Sequence, residues 1–448
     1  MNSEMNSEME KGTQNSLIYG LEDRPPVKEA FFAALQHLMA IFVAIITPPL
    51  IIAGALQLDL ETTSYLVSMA LFTSGICTFI QCKRLGGLGA GLLCIQGTSF
   101  SFIGPIIGAG LFGGLPVIFG SCMAASVVEM GVAPVLKYCR KIITPLVSGI
   151  VVTLIGLCLI KVGVSACGGG NAAMADGSFG SLQNIGLAGL VLVSIVFFNR
   201  SSNRFLRMSS IVIGLAIGYV AAWMMGLINF SSLTETEGVQ LPIPFRYGIS
   251  FDFSAIIALG VIYFITSIEA YGDITANCMI SGEPIEGEKF LKRASGGILA
   301  GGFNSLLAGV FNSFPSSIFA QNNGMIQLTG VASRYVGYYI SGMLMVLSLF
   351  PIISTVFSLM PEPVLGGATL LMFGTVAATG IRIISSQEID RKATLVLALS
   401  FSIGLTVEFM PEILSHMPEV VRNIFTSGIT AGGVTAILSN VLIHIKED

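Results

Sequence analysis

Two acidic residues interrupt one long apolar run, Glu269 and Asp273 in ITSIEAYGDITAN. Four residues apart, they fall on one face of a helix. A carboxylate at bilayer depth costs about 3 kcal/mol on insertion scales, so such residues are candidates for function. One of the pair can accept a hydrogen bond from a ligand N–H while the other exchanges a proton. The alternative is a carboxylate hydrogen-bonded within the protein to hold two helices together. Glu129 stands alone among apolar neighbours and reads as a packing or snorkelling residue. His37, in ALQHLMAIF, reads as a helix–helix hydrogen-bonding group rather than a proton carrier. The three histidines, His37, His416 and His444, are far apart, and no acidic residue is spaced to join them in a metal site. A phosphate-binding loop and a nucleophile–histidine–acid order are both missing, so no metal, cofactor, catalytic residue or direct ATP coupling is expected.

The elements that must position these residues are apolar helices. The chain has 448 residues, 53% hydrophobic and 11% charged, with a mean hydropathy of +0.82. A soluble chain carries roughly a quarter charged residues. Apolar runs near the length of about 20 residues that a bilayer core demands recur throughout, so the class is an all-α polytopic membrane protein. The formal net charge of −4 says little, because placement matters more than sum. Eight cysteines, among them Cys77, Cys94, Cys122 and Cys158, are scattered through apolar stretches and read as packing residues. Residues 1–29 are polar, lack the order of a signal peptide, and read as a cytoplasmic tail.

Apolar runs predict fourteen spans, near 30–56, 62–82, 92–110, 115–137, 142–163, 182–199, 208–229, 253–277, 295–312, 322–333, 335–357, 363–384, 392–410 and 423–445. The third and tenth are short, polar for their depth, and interrupted by Gly, Pro, Ser or Asn. With the N-terminus in the cytoplasm, this count places 19 of the 22 basic residues on the cytoplasmic side; only Lys161, Arg246 and Arg422 fall elsewhere. Both termini are then cytoplasmic. Seven spans plus seven suggest an inverted repeat. At an offset of 218 residues, Pro145, Gly149 and Gly156 of span five match Pro363, Gly367 and Gly374 of span twelve. The same offset sets the broken third span (QGTSFSFIGP, 96–105) opposite the broken tenth (FPSSIFAQNN, 314–323). Paired discontinuous spans point to a transporter's binding site, because backbone groups freed at depth must face protein, water or a ligand.

The segment Gln321–Gly330, QNNGMIQLTG, resembles the signature of the nucleobase–ascorbate transporter (nucleobase–cation symporter) family. With its flank VASRYVG it is similar to the bacterial xanthine permease branch, as are LEDRPP (21–26), IQGTSFSF (95–102), ITPLVSGIVV (143–152), the Glu269–Asp273 segment and PEPVLGGAT (361–369). The resemblance runs from about residue 16 to 445. It implies fourteen spans in two inverted seven-helix repeats, with a short strand in each of spans three and ten. A core domain would take 30–137 (spans one to four) and 253–357 (eight to eleven). A gate domain would take 138–229 (five to seven) and 358–448 (twelve to fourteen, with a short cytoplasmic tail). Carried over by position, Glu269 and Gln321 would hydrogen-bond a purine, Phe100 and Phe319 would flank its ring, and Phe100 and Ala320 would offer backbone groups. Asp273, with Glu269, would serve proton coupling, while His37, Asn322, Ser99 and Gly330 would tune affinity or selectivity. One departure stands out: some relatives carry Asp or Asn in the ninth span where GGILAGG places Gly301.

The resemblance thus implies a proton-coupled symporter importing a purine nucleobase, xanthine favoured by Gly330, across a bacterial cytoplasmic (inner) membrane. Urate, guanine or uracil transport, or an anion carrier or channel on the same fold, are the alternatives. The implied partners are the purine, H+, the lipid bilayer and a second copy joined through the gate domains, with no nucleic acid. Affinity and proton stoichiometry have no sequence signature.

Overall fold

A computed structural model describes residues 17–139, 144–203, 206–207, 209–228, 238–385, 388–418, 425 and 427–443. Residues 1–16 of the expected tail, Lys11, Arg140, Lys141, Arg204, Arg422, Lys446 and His444 lie outside these, as does the side chain of Lys137.

The first half runs α1 (Val27–Ala55), α2 (Leu60–Lys83), β1 (Gln96–Thr98), a 3-10 turn (Phe100–Phe102), α3 (Ile103–Cys139), α4 (Pro145–Gly168), the short α5 (Gly170–Asp176), α6 (Leu182–Asn199) and α7 (Ser210–Met224). The second half runs α8 (Phe253–Ile280), α9 (Gly287–Val310), β2 (Ser316–Ile318), α10 (Ala320–Thr329), α11 (Arg334–Ser348), α12 (Pro351–Ser358), α13 (Glu362–Ser385), α14 (Arg391–Phe409) and α15 (Gly428–Leu442). Local chemistry sets several starts. Asp59, Thr144, Asp252 and Asp390 each accept a backbone N–H at the head of α2, α4, α8 and α14. Pro145 occupies the first turn of α4, where its missing N–H costs nothing.

Among the described residues eight helices are long and apolar enough to cross a membrane, or nine if α11 and α12, bent by 79°, form one span. Several predicted boundaries shift. Span three (92–110) begins as β1 and the 3-10 turn, and α3 then breaks at Gly114 (φ 69°, ψ −166°), a conformation open to glycine, into two helical parts, inside the gap expected between spans three and four (115–137). Span ten (322–333) begins earlier and is β2 followed by α10. Span eleven (335–357) divides at Pro351, which starts α12 because it cannot donate to the preceding turn.

β1 and β2 pair antiparallel, Gln96 opposite Ile318, Gly97 opposite Ser317 and Thr98 opposite Ser316. Around them lies a buried amide network. Gln81 Nε2 donates to Gln96 Oε1 (2.9 Å), Asn304 Nδ2 donates to the same oxygen (2.7 Å), and Gln96 Nε2 donates to Ser316 Oγ (3.1 Å). Ser99 N donates to Pro315 O, Phe319 N to Ile95 O, and Thr98 Oγ1 to Ile45 O. Three-residue strands this short have no stability of their own; the network around them supplies it. Elsewhere helices meet through small residues. α4 and α13 lie antiparallel with Gly149 beside Gly380 and Ile384, Gly156 beside Ala377, and Gly163 beside Leu370.

Candidate functional site

Each strand leads directly into a helix, so their pairing brings the start of the 3-10 turn and the start of α10 to one place. The first N–H groups of any helix lack intrahelical partners, and Ala320 and Gln321 are the first two residues of α10. A cavity of about 650 Å³ opens beside them, with α8 on one side and α4 and α13 across from it. Of the ten expected site residues, Ser99, Phe100, Glu269, Asp273, Phe319, Ala320 and Gln321 line this cavity, and His37, Asn322 and Gly330 do not.

Glu269 and Asp273 present their shared α8 face as their spacing requires. Asp273 is 7% exposed, and Glu269 is somewhat more open. Glu269 Oε2, Asp273 Oδ2 and Ser99 Oγ are buried without a hydrogen-bond partner. Buried polar atoms are nearly always paired, so three orphans around one cavity mark where a donor would be accepted. The aromatic pair differs in its freedom. Phe100 meets Phe373 edge-on, ring centroids 5.3 Å apart. Phe319 lines the cavity but is 4% exposed, its ring lying over Gly97 and near Ile45.

The three residues off the cavity hold the helices around it. His37 is fully buried, with Nδ1 2.7 Å from Asn322 Oδ1 and Nε2 3.4 Å from Thr329 Oγ1. Asn322 Nδ2 donates to Leu93 O at 2.6 Å, just ahead of β1. Asn277 Nδ2 donates to Leu93 O (3.0 Å) and to Asn323 Oδ1 (2.9 Å), and Asn323 Nδ2 donates to Asp273 O (3.2 Å). These amides tie α10 to α1 and α8. Gly330 ends α10 with φ 68°, and its carbonyl accepts from Ile18 N and Tyr19 N in the segment before α1.

Sequence reasoning missed the wall opposite Glu269. Ser148 from α4 and Thr375, Thr379 and Arg382 from α13 line it, with Ser101 beside Phe100. Thr375 and Thr379 satisfy their hydroxyls on their own helix, at Met372 O and Thr375 O, so no sequence pattern sets them apart. The matched Pro and Gly positions of α4 and α13 were the available signal. Thr144, Met279, Ile280, Gln327 and Arg382 carry the cavity towards the start of α4 and the ends of α8, α10 and α13. Glu129 is 2% exposed, which corrects the snorkelling reading. Among the described residues no group of three His, Cys, Asp or Glu could hold a metal ion, and the seven described cysteines are buried and unpaired.

Residues 28–413 match the model of a permease family. The chain is 50% identical over 441 residues to "Xanthine permease XanP" of Escherichia coli strain K12, covering 96% of this chain and 95% of that protein. It is 45% identical over 440 residues to "Xanthine permease XanQ" of the same strain, covering 96% and 94%. In fold it resembles the transmembrane domain of a cyanobacterial bicarbonate transporter, BicA, with a TM-score of 0.56, 13% identity, and coverage of 94% of this chain and 99% of that one. Those relatives are permeases rather than enzymes. The chain belongs to this permease family, as an integral membrane protein on a transporter fold.

Proposed function

We propose that this chain is a proton-coupled symporter that imports a purine nucleobase, xanthine foremost, across a bacterial cytoplasmic membrane. The reading rests above all on the convergence of Glu269 and Gln321 on one cavity at the strand pair. A purinedione edge carries N–H donors and carbonyl acceptors. Glu269 accepts from an N–H, Gln321 supplies an acceptor and a donor, and the backbone at Phe100 and Ala320 supplies further groups. Phe100 and Phe319 offer apolar contact to the ring. A site matched in this way rejects analogues strongly, because its buried groups would stay unpaired. The names of XanP and XanQ favour xanthine. Asp273, with Glu269, exchanges the coupled proton, His37 and Asn322 position α10, and Ser99 and Gly330 tune affinity.

Fourteen spans in two inverted repeats form a core (30–137 and 253–357) and a gate (138–229 and 358–448). Two features support the repeat. Thr98 and Ser316, partners across the strand pair, are themselves 218 residues apart. The antiparallel contact of α4 with α13 joins the two helices that the same offset relates. With both termini cytoplasmic, the cavity opens inward, and rocking or elevator-like movement of core against gate alternates access. Two copies pair through their gates. The test is proton-gradient-driven uptake of labelled xanthine in vesicles, competed by a purine panel. Glu269→Gln abolishes accumulation, and uptake that survives the substitution puts the assigned site in error.

A further inference from the structure

We propose that the groove between α4 and α14 binds one anionic phospholipid, with its phosphate on Lys161 and an acyl chain lying along the two helices. The groove holds about 360 Å³ and is lined by Leu157, Ile160, Lys161 and Val164 of α4 and by Leu405 and Phe409 of α14. The α4 residues recur at helical spacing and so form one stripe. Lys161 is the only polar side chain in the lining. A charged head beside an apolar wall matches the two chemistries of a phospholipid.

Lys161, Arg246 and Arg422 are the basic residues that fall outside the cytoplasmic count. Arg246 pairs with Glu61 at 2.9 Å and lies over the Tyr65 ring, and Arg422 is outside the described residues. Among the described residues Lys161 has no carboxylate partner. Its Nζ donates instead to Glu408 O at 3.2 Å, a carbonyl in the last turn of α14. An ammonium has three donors, so this bond leaves two for a ligand in the groove. The carboxylate of Glu408 is engaged with α15, where Gly428 N donates to its Oε2 at 3.4 Å.

The surroundings fit the edge of a bilayer. α14 starts at Arg391 and Lys392 and ends at Phe409, so with both termini cytoplasmic its end lies at the outer surface. Phe409, Met410 and Ile413 there are 67%, 66% and 59% exposed. Apolar side chains presented in this way suit the boundary between headgroups and acyl chains. A lone ammonium beside hydrocarbon is costly, and a phosphate supplies both the opposite charge and strong acceptors. A zwitterionic headgroup carries its own cation next to the phosphate, whereas an anionic one leaves its charge to Lys161. The outer placement rests on the proposed topology; the pairing of groove and lysine holds on either side.

The experiment titrates the purified full chain in dodecylmaltoside with dioleoylphosphatidylglycerol or dioleoylphosphatidylcholine and follows the melting midpoint. The expected result is a saturable rise of about 2 °C or more with phosphatidylglycerol and a much smaller one with phosphatidylcholine. Lys161→Met should move half-saturation to about tenfold more phosphatidylglycerol, and Lys161→Arg should keep it near wild type. Leu405→Trp fills the groove and should remove the response while Lys161 stays in place. Equal responses to the two lipids, or an undiminished response in both Lys161→Met and Leu405→Trp, overturn the site. A rise produced by inorganic phosphate alone makes it a free-anion site and overturns the lipid. A wild-type chain indifferent to both lipids, whose dimer is lost in Leu405→Trp, assigns the groove to a second copy and overturns it as well. Xanthine added without lipid reports on the other site. A chain stabilised by phosphatidylglycerol and not by xanthine supports the lipid site and removes the purine reading.

Discussion

Gly97 sits at the centre of β1, and what its missing Cβ permits can be worked out in distances. A Cβ there would stand 2.8 Å from Phe319 Cε2, 3.0 Å from Phe319 Cζ and 2.9 Å from Ile45 Cγ1. Carbon pairs settle at about 3.5–4.0 Å, so one side must withdraw by about 0.5–1 Å. Ile45 is fully buried, and its carbonyl accepts from Thr98, which holds it to the strand. Gln96 is locked by the amide network on the other side. The ring of Phe319 is therefore the part that moves, and Ala320 and Gln321 follow it directly. Overpacking of this kind costs about 1–3 kcal/mol. If all of it falls on ligand affinity, Gly97→Ala weakens binding by roughly 5- to 150-fold, at about 1.4 kcal/mol per factor of ten. The KM of xanthine counterflow and the thermal midpoint of the purified protein read this out. Gly342→Ala in α11 is the control, since nothing lies within 4 Å of its added Cβ and alanine favours a helix. A Gly97→Ala protein with the wild-type KM and the wild-type melting midpoint refutes the claim that ring-on-strand packing sets the site.

The remaining expectations are shorter. Gln321→Ala removes neutral hydrogen bonds to the ligand, worth about 0.5–1.5 kcal/mol each, and should raise the xanthine KM up to about tenfold per bond lost; an unchanged KM detaches Gln321 from the ligand. Asn322→Ala leaves the fully buried His37 without its 2.7 Å partner, a loss of about 1–3 kcal/mol that should lower the melting midpoint although Asn322 is off the cavity. A midpoint equal to wild type would mean that this contact does not hold α10. Thr379→Cys places a thiol in the cavity, whereas the seven described native cysteines are buried. A membrane-impermeant maleimide should label it from the cytoplasmic side, with protection by xanthine, and labelling indifferent to xanthine places the ligand elsewhere.

Much of the site could be read from the sequence because it is local. Glu269 and Asp273 share a face by helical spacing alone, and the clustering of Pro, Gly, Ser and Asn in short, polar runs flagged the two broken segments. The resemblance then assigned Phe100, Phe319, Ala320 and Gln321 by position, and all four line the cavity. The unread part depends on contacts between distant segments. His37 and Asn322 are 285 residues apart, and nothing local to either shows that one buries the other's hydrogen bond. The break at Gly114 (φ 69°), by contrast, was legible locally, because Gly-Gly at 113–114 already falls between spans three and four. Glu129 is the sharpest case. In the sequence it is a lone acid in an apolar run, and Gly301 is one small residue among 52 glycines. Packing of α3 on α9 makes one the occupant of the other's notch. A side chain absent from one helix can thus be replaced, in space, by one from another helix, and only the tertiary contact shows it.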